Sequence, residues 1–335
     1  DIATDRDTPS PSMEIIEVTA RKTPENLQRV PLSVTSVQAT ALDEQDLERL
    51  SNAQQFAPNT ALQTSTATNS TLMAFIRGVG QEDQLWGYEP GVGIYIDDVY
   101  VARPQGAVLE LLDVERIEIL RGPQGSLYGK NTIGGAVKYV TKAMSGDREF
   151  TIRGTIGDYA RQDLKLSGQI PLVTDTVYLG FATALLQRDG FGEFLASDVA
   201  NQDMDNYNKD VTATRLTLEY HPSQQFFARL NFDKTWDDTN ARGGKRVLPS
   251  LLPASAGVDP IPDDVFDANT SMPTWNRLTL EGLSLTLNYD FGADWQFKSV
   301  TSKRENYSEA NIDFDNTQLR IFDVPAIYDD EQFTQ

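Results

Sequence analysis

The sequence predicts a mixed α/β domain followed by strands of an antiparallel transmembrane β-barrel. Up to Lys142, short strand-like and helix-like segments alternate, whereas from Arg148 onward apolar residues recur at every second position. Period-two alternation indicates strands that present two different faces. Short and long connections mostly alternate between these later strands, which is typical of transmembrane barrels.

The composition limits the possible functions of the 335 residues. The chain has room for two domains, contains no cysteine, and has a single histidine. These counts exclude disulfides and thiol catalysis and disfavour most metal sites. A net charge of −20 argues against nucleic acid as a partner, because that binding needs clustered Lys and Arg. The mean hydropathy of −0.40 is compatible with barrel strands, whose lipid-facing and lumen-facing residues alternate.

The N-terminus contains a strand-prone island within a flexible region, predicted over residues 1–22. Asp1–Met13 is charged and rich in Pro and Ser, which predicts disorder. Glu14–Lys22 could add a strand to a partner's sheet edge. From the residues alone, an ordinary first strand of the domain is the simpler interpretation, and both remain open.

Short elements fill the region from Pro31 to Lys142. Glycine, proline and capping residues delimit them. The predicted strands are Pro31–Gln38, Leu72–Gly80, Gly93–Val101 and one that ends at Leu120, and the predicted helices are Ala41–Leu50 and a short one that Ser51 caps and that ends before Pro58. Three loops separate them: Asn59–Ser70, Gln81–Gly91 and Ala102–Gly106.

The later part of the chain predicts about eight strands. Short turns lie near Pro171–Thr176, His221–Gln224 and Gly292–Asp294, and long polar connections lie at about 190–210, 238–277 and 308–329. Trp236, Tyr289, Trp295 and Tyr307 lie near strand ends, as interfacial aromatic girdles do. An eight-stranded barrel is filled by its own side chains, whereas plugged barrels have about 22 strands. We therefore expect residues 146–335 to be the N-terminal part of a larger barrel.

A glycine-rich stretch from Arg121 to Lys142 joins the two regions. Dense glycine indicates a compact backbone with turns and close approaches. A phosphate-binding loop is disfavoured, because Gly125 and Gly129 have the wrong spacing and Asn131 replaces the Ser or Thr that would hold Mg²⁺.

Other candidate chemistry is equally weak. Asp97 and Asp98 are neighbours that should point to opposite faces of a strand, so they are interpreted as a solvated strand end and not as a catalytic pair. Loop carboxylates such as Asp313 and Asp315 lack a full Ca²⁺-ligand spacing. No catalytic residue and no metal site is predicted, and the chain is not expected to be an enzyme.

Three motifs resemble the plug signature of the TonB-dependent outer-membrane receptors. They are Phe75–Gly80 (FIRGVG), Pro90–Tyr100 (PGVGIYIDDVY) and Val114–Lys142 (VERIEILRGPQGSLYGKNTIGGAVKYVTK). The resemblance implies a plug domain over residues 23–145 inside the barrel. It also implies a TonB box at Glu14, Ile15, Ile16, Glu17, Val18, Thr19 and Ala20, with Ile15 where Thr is more usual.

Further roles follow from the same resemblance. Arg77 and Arg121 match two plug arginines that pair with barrel glutamates. The plug motif is carried by Gly78, Gly122, Pro123, Gly125, Tyr128, Gly129, Gly134 and Gly135. Trp86, Tyr88 and Arg103 lie on plug loops and are predicted to contact substrate; packing of Trp86 and Tyr88 on the barrel wall is the alternative.

The implied function is active uptake across the Gram-negative outer membrane. TonB in the periplasm would pair with the box, and membrane lipid would surround the barrel. The default cargo is an iron–siderophore complex, so that iron enters only with the substrate and no intrinsic cofactor is expected. Uptake of an oligosaccharide, haem or cobalamin, and a signalling receptor, are the alternatives.

Overall fold

The computed structural model describes residues 16–44, 50–65, 68, 71–82, 88–103, 105, 113–196, 204–248, 261–292 and 295–335. None of the helices in these ranges combines the length and the apolar character that crossing a bilayer requires. The described residues form an N-terminal domain, from β1 to β10, and a large antiparallel sheet.

Short strands dominate the N-terminal domain. They are β1 (Glu17–Val18), β2 (Glu25–Asn26), β3 (Val34–Gln38), β4 (Thr60–Thr64), β5 (Leu72–Ile76), β6 (Val79–Gln81), β7 (Val92–Ile96), β8 (Val99–Val101), β9 (Val114–Arg121) and β10 (Gly135–Thr141). The helices are α1 (Ala39–Glu44), α2 (Gly125–Tyr128) and two 3₁₀ helices at Leu27–Arg29 and Leu50–Phe56.

The centre of this domain is a five-stranded sheet of order β3-β9-β10-β7-β8. Ile117, Ile119, Val137 and Tyr139 point to one face, which packs against the helices and the small sheet β4-β5-β6. The residues between them point to the opposite face, which β1, α2 and the adjoining chain cover. Burial on both faces explains why β7 and β10 are largely apolar. β9 is buried to the same degree but carries charged residues, which need partners there.

Two segments predicted as single strands are hairpins. Leu72–Gly80 turns at Arg77 and Gly78, with φ of 53° and 80°, and Gly93–Val101 turns at Asp97 and Asp98, with φ of 46° and 70°. Two consecutive residues with positive φ form the tight turn that joins antiparallel strands. The second predicted helix is the 3₁₀ helix at Leu50–Phe56, and Ser51 lies inside it instead of capping it.

The large sheet has eight strands in sequence order. They are β11 (Glu149–Gly157), β12 (Arg161–Val173), β13 (Val177–Arg188), β16 (Lys209–Ser223), β17 (Phe226–Asp237), β19 (Asn276–Gly292), β20 (Trp295–Asp313) and β21 (Asp323–Thr334). All neighbours are antiparallel. The strands β14 (Gly192–Ala196), β15 (Asp205–Asn206) and β18 (Ala268–Thr270) form a separate three-stranded sheet from two long connections.

The two faces of the large sheet are inverted relative to a water-soluble protein. Apolar side chains such as Leu216, Leu218 and Leu283 are exposed, whereas polar ones such as Arg215, Thr217 and Ser284 are covered. The predicted girdle residues Trp236, Tyr289, Trp295 and Tyr307 also lie among the exposed large side chains. An outward apolar face with an inward polar face is the pattern of a membrane-spanning sheet.

Long and short connections alternate along most of the large sheet. β12–β13, β16–β17 and β19–β20 are joined by tight turns, whereas β13–β16 and β17–β19 are joined by long segments. The predicted long connection at 308–329 is shorter than expected, because β20 continues to Asp313 and β21 begins at Asp323. The short β11–β12 connection matches the prediction.

The glycine-rich stretch folds as a tight loop around α2. The Gly122 N–H donates to Gly134 O (2.9 Å), and the Gln124 N–H donates to Thr132 O (2.9 Å). Gly122, Gly129 and Gly135 have φ of 108°, 82° and 152°. At Gly135 a Cβ atom would lie 2.1 Å from Leu120 O, so any side chain there would collide with the neighbouring strand.

We expect Gly135→Ala to destabilise the centre of the five-stranded sheet. The backbone strain costs roughly 1–3 kcal/mol, and the collision with Leu120 O adds to it. Hydrogen–deuterium exchange of the β9 and β10 amides in the full-length protein measures the effect, and faster exchange is expected. Gly125→Ala is the matched control, because no atom lies within 4 Å of the added methyl group. Unchanged exchange in Gly135→Ala would contradict the close approach.

Candidate functional site

The N-terminal segment, residues 16–22, is docked on the second face of the five-stranded sheet. Val18 and Ala20 are completely buried there. β1 pairs with β2, and the Leu27 N–H donates to Ile16 O (2.9 Å). The sequence predicts a flexible region up to residue 22, yet its described part is packed against the domain.

Thr19 lies in a polar pocket on this face. Its backbone N–H donates to Glu118 Oε1 (2.7 Å), and its hydroxyl donates to the same oxygen (3.1 Å). Lys138 Nζ donates to both Thr19 O (2.9 Å) and Thr19 Oγ1 (2.8 Å). Arg116 Nε donates to Glu118 Oε1 (2.8 Å) and orients that carboxylate. The donors and acceptors of Thr19 are therefore all satisfied by charged groups.

These charged groups come from the two central strands. Glu118 of β9 and Lys138 of β10 are directly paired in the ladder, and both are almost completely buried. They point to the same face as Leu120 and Ala136, where the N-terminal segment covers them. Because buried charges need partners, the docked segment and the charged pair depend on one another.

Two tyrosines close the other side of the segment. The Tyr128 hydroxyl donates to Ala20 O (2.8 Å), and the Tyr95 hydroxyl donates to Tyr128 O (2.8 Å). Burial, together with the negative charge of Asp98, raises the pKa of both phenols. They therefore stay protonated and remain hydrogen-bond donors. Lys22 Nζ lies 4.1 Å from the Tyr128 ring centroid, within cation–π range.

The Asp98 cluster lies beside this site. We define it as Asp98 with Lys22, Lys138 and Lys298, whose Nζ atoms lie 3.3, 2.9 and 2.6 Å from its carboxylate oxygens. Burial opposes ionisation of Asp98, but the three ammonium groups outweigh it and hold the pKa of that carboxyl well below its usual range. Burial also lowers the pKa of Lys22, partly offset by Asp98.

The prediction of a solvated strand end at Asp97 and Asp98 is wrong. Asp98 has a side-chain exposure of 8% and is enclosed by the lysines. Asp97 accepts hydrogen bonds from Thr141 N and Thr141 Oγ1, both at 2.8 Å. The two residues form a turn and not part of a strand, and their carboxylates bind different groups.

The structure describes only part of the segment that is predicted as the TonB box. Glu14 and Ile15 lie outside the described residues, whereas Ile16, Glu17, Val18, Thr19 and Ala20 lie in or beside β1. Of these, Thr19 contacts the charged groups of Glu118 and Lys138, and the side chains of Val18 and Ala20 contribute the apolar burial.

Arg77 and Arg121 lie close together but are not ion-paired within the described ranges. Arg77 Nη1 approaches Gly122, and Arg121 Nη1 donates to Pro58 O (3.4 Å). Arg121 Nε is buried without a hydrogen-bond partner. The predicted pairing of both arginines with barrel glutamates stays a prediction.

The other motif residues position the loop that carries Tyr128. Gly78 has a φ of 80° in the β5–β6 turn, and Pro123 lies between Gly122 and Gln124, whose N–H groups bond to Gly134 and Thr132. Gly125 begins α2 and Gly129 ends it, which places Tyr128 against Ala20.

Two of the three residues predicted to contact substrate, Tyr88 and Arg103, lie within the described residues. Trp86 falls outside the described residues, and Tyr88 is exposed. Arg103 Nε lies 3.0 Å from Asp330 Oδ1 of β21, and the neighbouring Ala102 N–H donates to Gln332 Oε1 (3.0 Å). Arg103 therefore joins the N-terminal domain to the large sheet. Beside it lies a cavity of about 190 Å³ that Asn306 also lines.

Sequence reasoning missed Lys22, Asp98, Glu118 and Lys138. A signal was available at Lys138, which is the single charged residue of the strand β10. A charged group at such a position is either paired or functional. Glu118 did not stand out in the same way, because β9 also contains Glu115, Arg116 and Arg121.

Known proteins share this architecture. A family profile described as TonB-dependent Receptor Plug Domain matches residues 26–136. The pesticin receptor of Yersinia enterocolitica is 32% identical over 148 residues, 43% of this chain and 20% of that protein. The vitamin B12 transporter BtuB of Vibrio cholerae is 31% identical over 103 residues, 29% of this chain and 16% of that protein.

A solved structure gives the same fold over a longer range. The ferric yersiniabactin uptake receptor FyuA from Yersinia pestis superposes with a TM-score of 0.68 and 19% identity, covering 84% of this chain and 42% of that one. The chain thus spans less than half the length of the relatives that it matches.

We expect Tyr128→Phe to loosen the docked segment. The change leaves the buried Ala20 carbonyl without its donor, which costs about 1–3 kcal/mol. Exchange of the Thr19 amide hydrogen should become about tenfold faster. The matched control is Tyr100→Phe, whose hydroxyl bonds to Asn131 and not to the segment. Equal Thr19 exchange in both variants would contradict the role of Tyr128.

Proposed function

Because this chain belongs to the TonB-dependent receptor family, we propose that the complete protein takes up a scarce nutrient across the Gram-negative outer membrane at the expense of TonB-delivered energy. In this proposal the N-terminal domain is the plug and the large sheet is part of the barrel wall. The relatives' names are those of receptors and transporters, which supports a role other than catalysis.

The observation that carries the proposal is the docking of residues 16–20 on the plug. The segment is extended, and its ladder with β2 covers only two residue pairs. An extended segment with so short a ladder is suited to pair with a partner strand once it leaves its pocket. We assign TonB as that partner, with Glu14–Ala20 as its box.

The inverted large sheet supports the location in the outer membrane. Its exposed face carries leucine, phenylalanine and tyrosine side chains, and its covered face carries ion pairs such as Arg229–Glu219 and Arg304–Asp233. A sheet with this polarity is stable when lipid covers the apolar face.

The proposed cargo is an iron–siderophore complex. Its support is the structural likeness to the ferric yersiniabactin uptake receptor of Yersinia pestis. Iron would belong to the cargo and not to the protein. Cobalamin is the second candidate, since the Vibrio cholerae relative is named a vitamin B12 transporter. Oligosaccharide or haem uptake, and signalling on substrate binding, remain alternatives.

Deleting Glu14–Ala20 should abolish energised uptake and leave ligand binding intact. The deletion removes the segment with which TonB would pair but none of the plug loops. Uptake of a radiolabelled ligand by whole cells measures the first effect, and binding to de-energised cells measures the second. Uptake that survives the deletion would contradict the assignment of the box.

Growth of cells with and without the gene separates the cargo classes. Under iron limitation with a supplied siderophore, we expect the deletion strain to grow more slowly. On medium where growth depends on scarce cobalamin, we expect equal growth. A defect only in the cobalamin medium, or no defect in either medium, would refute the siderophore assignment.

A further inference from the structure

Asp98 joins three separate parts of the protein. Lys22 belongs to the N-terminal segment, Lys138 to the central strand that holds Thr19, and Lys298 to strand β20 of the barrel wall. Lys138 donates to Thr19 O and Oγ1 while it also contacts Asp98. A change in the Asp98 carboxylate therefore acts directly on the group that holds the segment.

The environment of Asp98 is a demanding one for a carboxylate. Its φ of 70° is a left-handed conformation that Asp, like Asn, adopts more readily than most residues. Its side chain is buried, which is costly for a carboxylate without partners. The three lysines supply those partners.

Without the Asp98 carboxylate, the site would carry an excess of positive charge. Three ammonium groups converge on one carboxylate, and Glu118 supplies the second negative charge 3.8 Å from Lys138 Nζ. Without the Asp98 charge, the three lysines would repel one another in a partly buried site. Lys22 and Lys138 can relieve this repulsion if the N-terminal segment leaves its pocket.

The hairpin that carries Asp98 also contacts the barrel wall at its other end. β8 runs from the Asp97–Asp98 turn to Ala102 and Arg103, which bond to Gln332 and Asp330 of β21. One short strand therefore connects the loop at Arg103 with the cluster that holds the segment. A shift of the β7–β8 hairpin relative to the barrel wall would therefore move Asp98 directly, because Asp98 lies in the turn of that hairpin.

We propose that Asp98 is an electrostatic latch that keeps the TonB-box segment docked, by neutralising Lys22 and Lys138 on the plug together with Lys298 on the barrel wall. The inference rests on the proposed function only in assigning TonB as the partner that binds the released segment. Docking itself is measured without TonB or ligand. Asp98 acts through Lys138 and is a positioning residue.

The test uses a single cysteine introduced into these 335 residues, which contain none. Any cysteine elsewhere in the full-length protein is replaced by serine in every variant. Val18→Cys places a thiol at a completely buried position of the segment. The rate of labelling by a charged thiol reagent, in outer membranes containing the full-length protein, then reports the undocked fraction. Asp98→Asn keeps the shape and suits the positive φ, and we expect it to accelerate labelling at least tenfold.

A second change distinguishes the latch from simple structural damage. Lys298→Gln removes one of the three repelling charges, so the double variant Asp98→Asn with Lys298→Gln should label several-fold more slowly than Asp98→Asn alone. Lys298→Gln by itself should label at the parent rate. Damage to the fold by Asp98→Asn would not be repaired by a change on the barrel wall.

A matched control comes from an exposed pair. Glu89→Gln makes the same carboxylate-to-amide change in an ion pair with Lys130 (2.6 Å), and its labelling rate should equal that of the parent. Unchanged labelling in Asp98→Asn, or no slowing in the double variant, would overturn the proposal. Faster exchange of the β10 amides in Asp98→Asn would also overturn it, because the plug itself would then have opened. A transport assay that fails while labelling behaves as expected would refute the proposed function and leave the latch standing.

Discussion

A buried carboxylate neutralised from three directions is the constraint on which the arrangement of this chain depends. Lys138 and Lys22 of the plug and Lys298 of the wall face Asp98 and together hold the pKa of its carboxyl well below its usual range. Buried ion pairs add little net stability, because desolvation offsets their attraction. What they specify is position: the N-terminal segment has one place where the charges of Lys138 and Glu118 are both satisfied.

The large sheet supplies the other half of that constraint. Its exposed face is apolar and its covered face is polar, so the plug lies against side chains that can form ion pairs and hydrogen bonds. Arg229 contacts Glu219 on its neighbouring strand and reaches Thr141 Oγ1 and Lys142 O of the chain that leaves the plug. Thr141 is held from the other side by Asp97. Both aspartates of this turn are therefore linked to the barrel wall. Asp98 contacts Lys298 directly, and Asp97 is linked to Arg229 through Thr141.

Periodicity predicted the large sheet well, because a strand with one lipid face and one polar face repeats every second residue over many residues. It failed at short elements. The β7–β8 turn is made by Asp97 and Asp98, whereas the usual hairpin signal is Asn-Gly or Asp-Gly. The β5–β6 turn does contain Gly78, but Arg77 before it also adopts positive φ, which its residue type does not predict. The long connection after β20 was overestimated, since polar residues at the end of that strand continue the ladder to Asp313.

The sequence alone determined the fold class, the order of the barrel strands, the glycine-rich loop and the motifs that indicate a TonB-dependent receptor. These are local properties, because hydrophobic periodicity, turn residues and motif spacing depend on residues that are close together in the sequence. Only the tertiary structure decided that Asp98 is buried, that Lys138 holds Thr19 and that Arg103 binds Asp330. Asp98 and Lys298 are 200 positions apart, and the attraction between such charges depends on the distance that folding leaves between them.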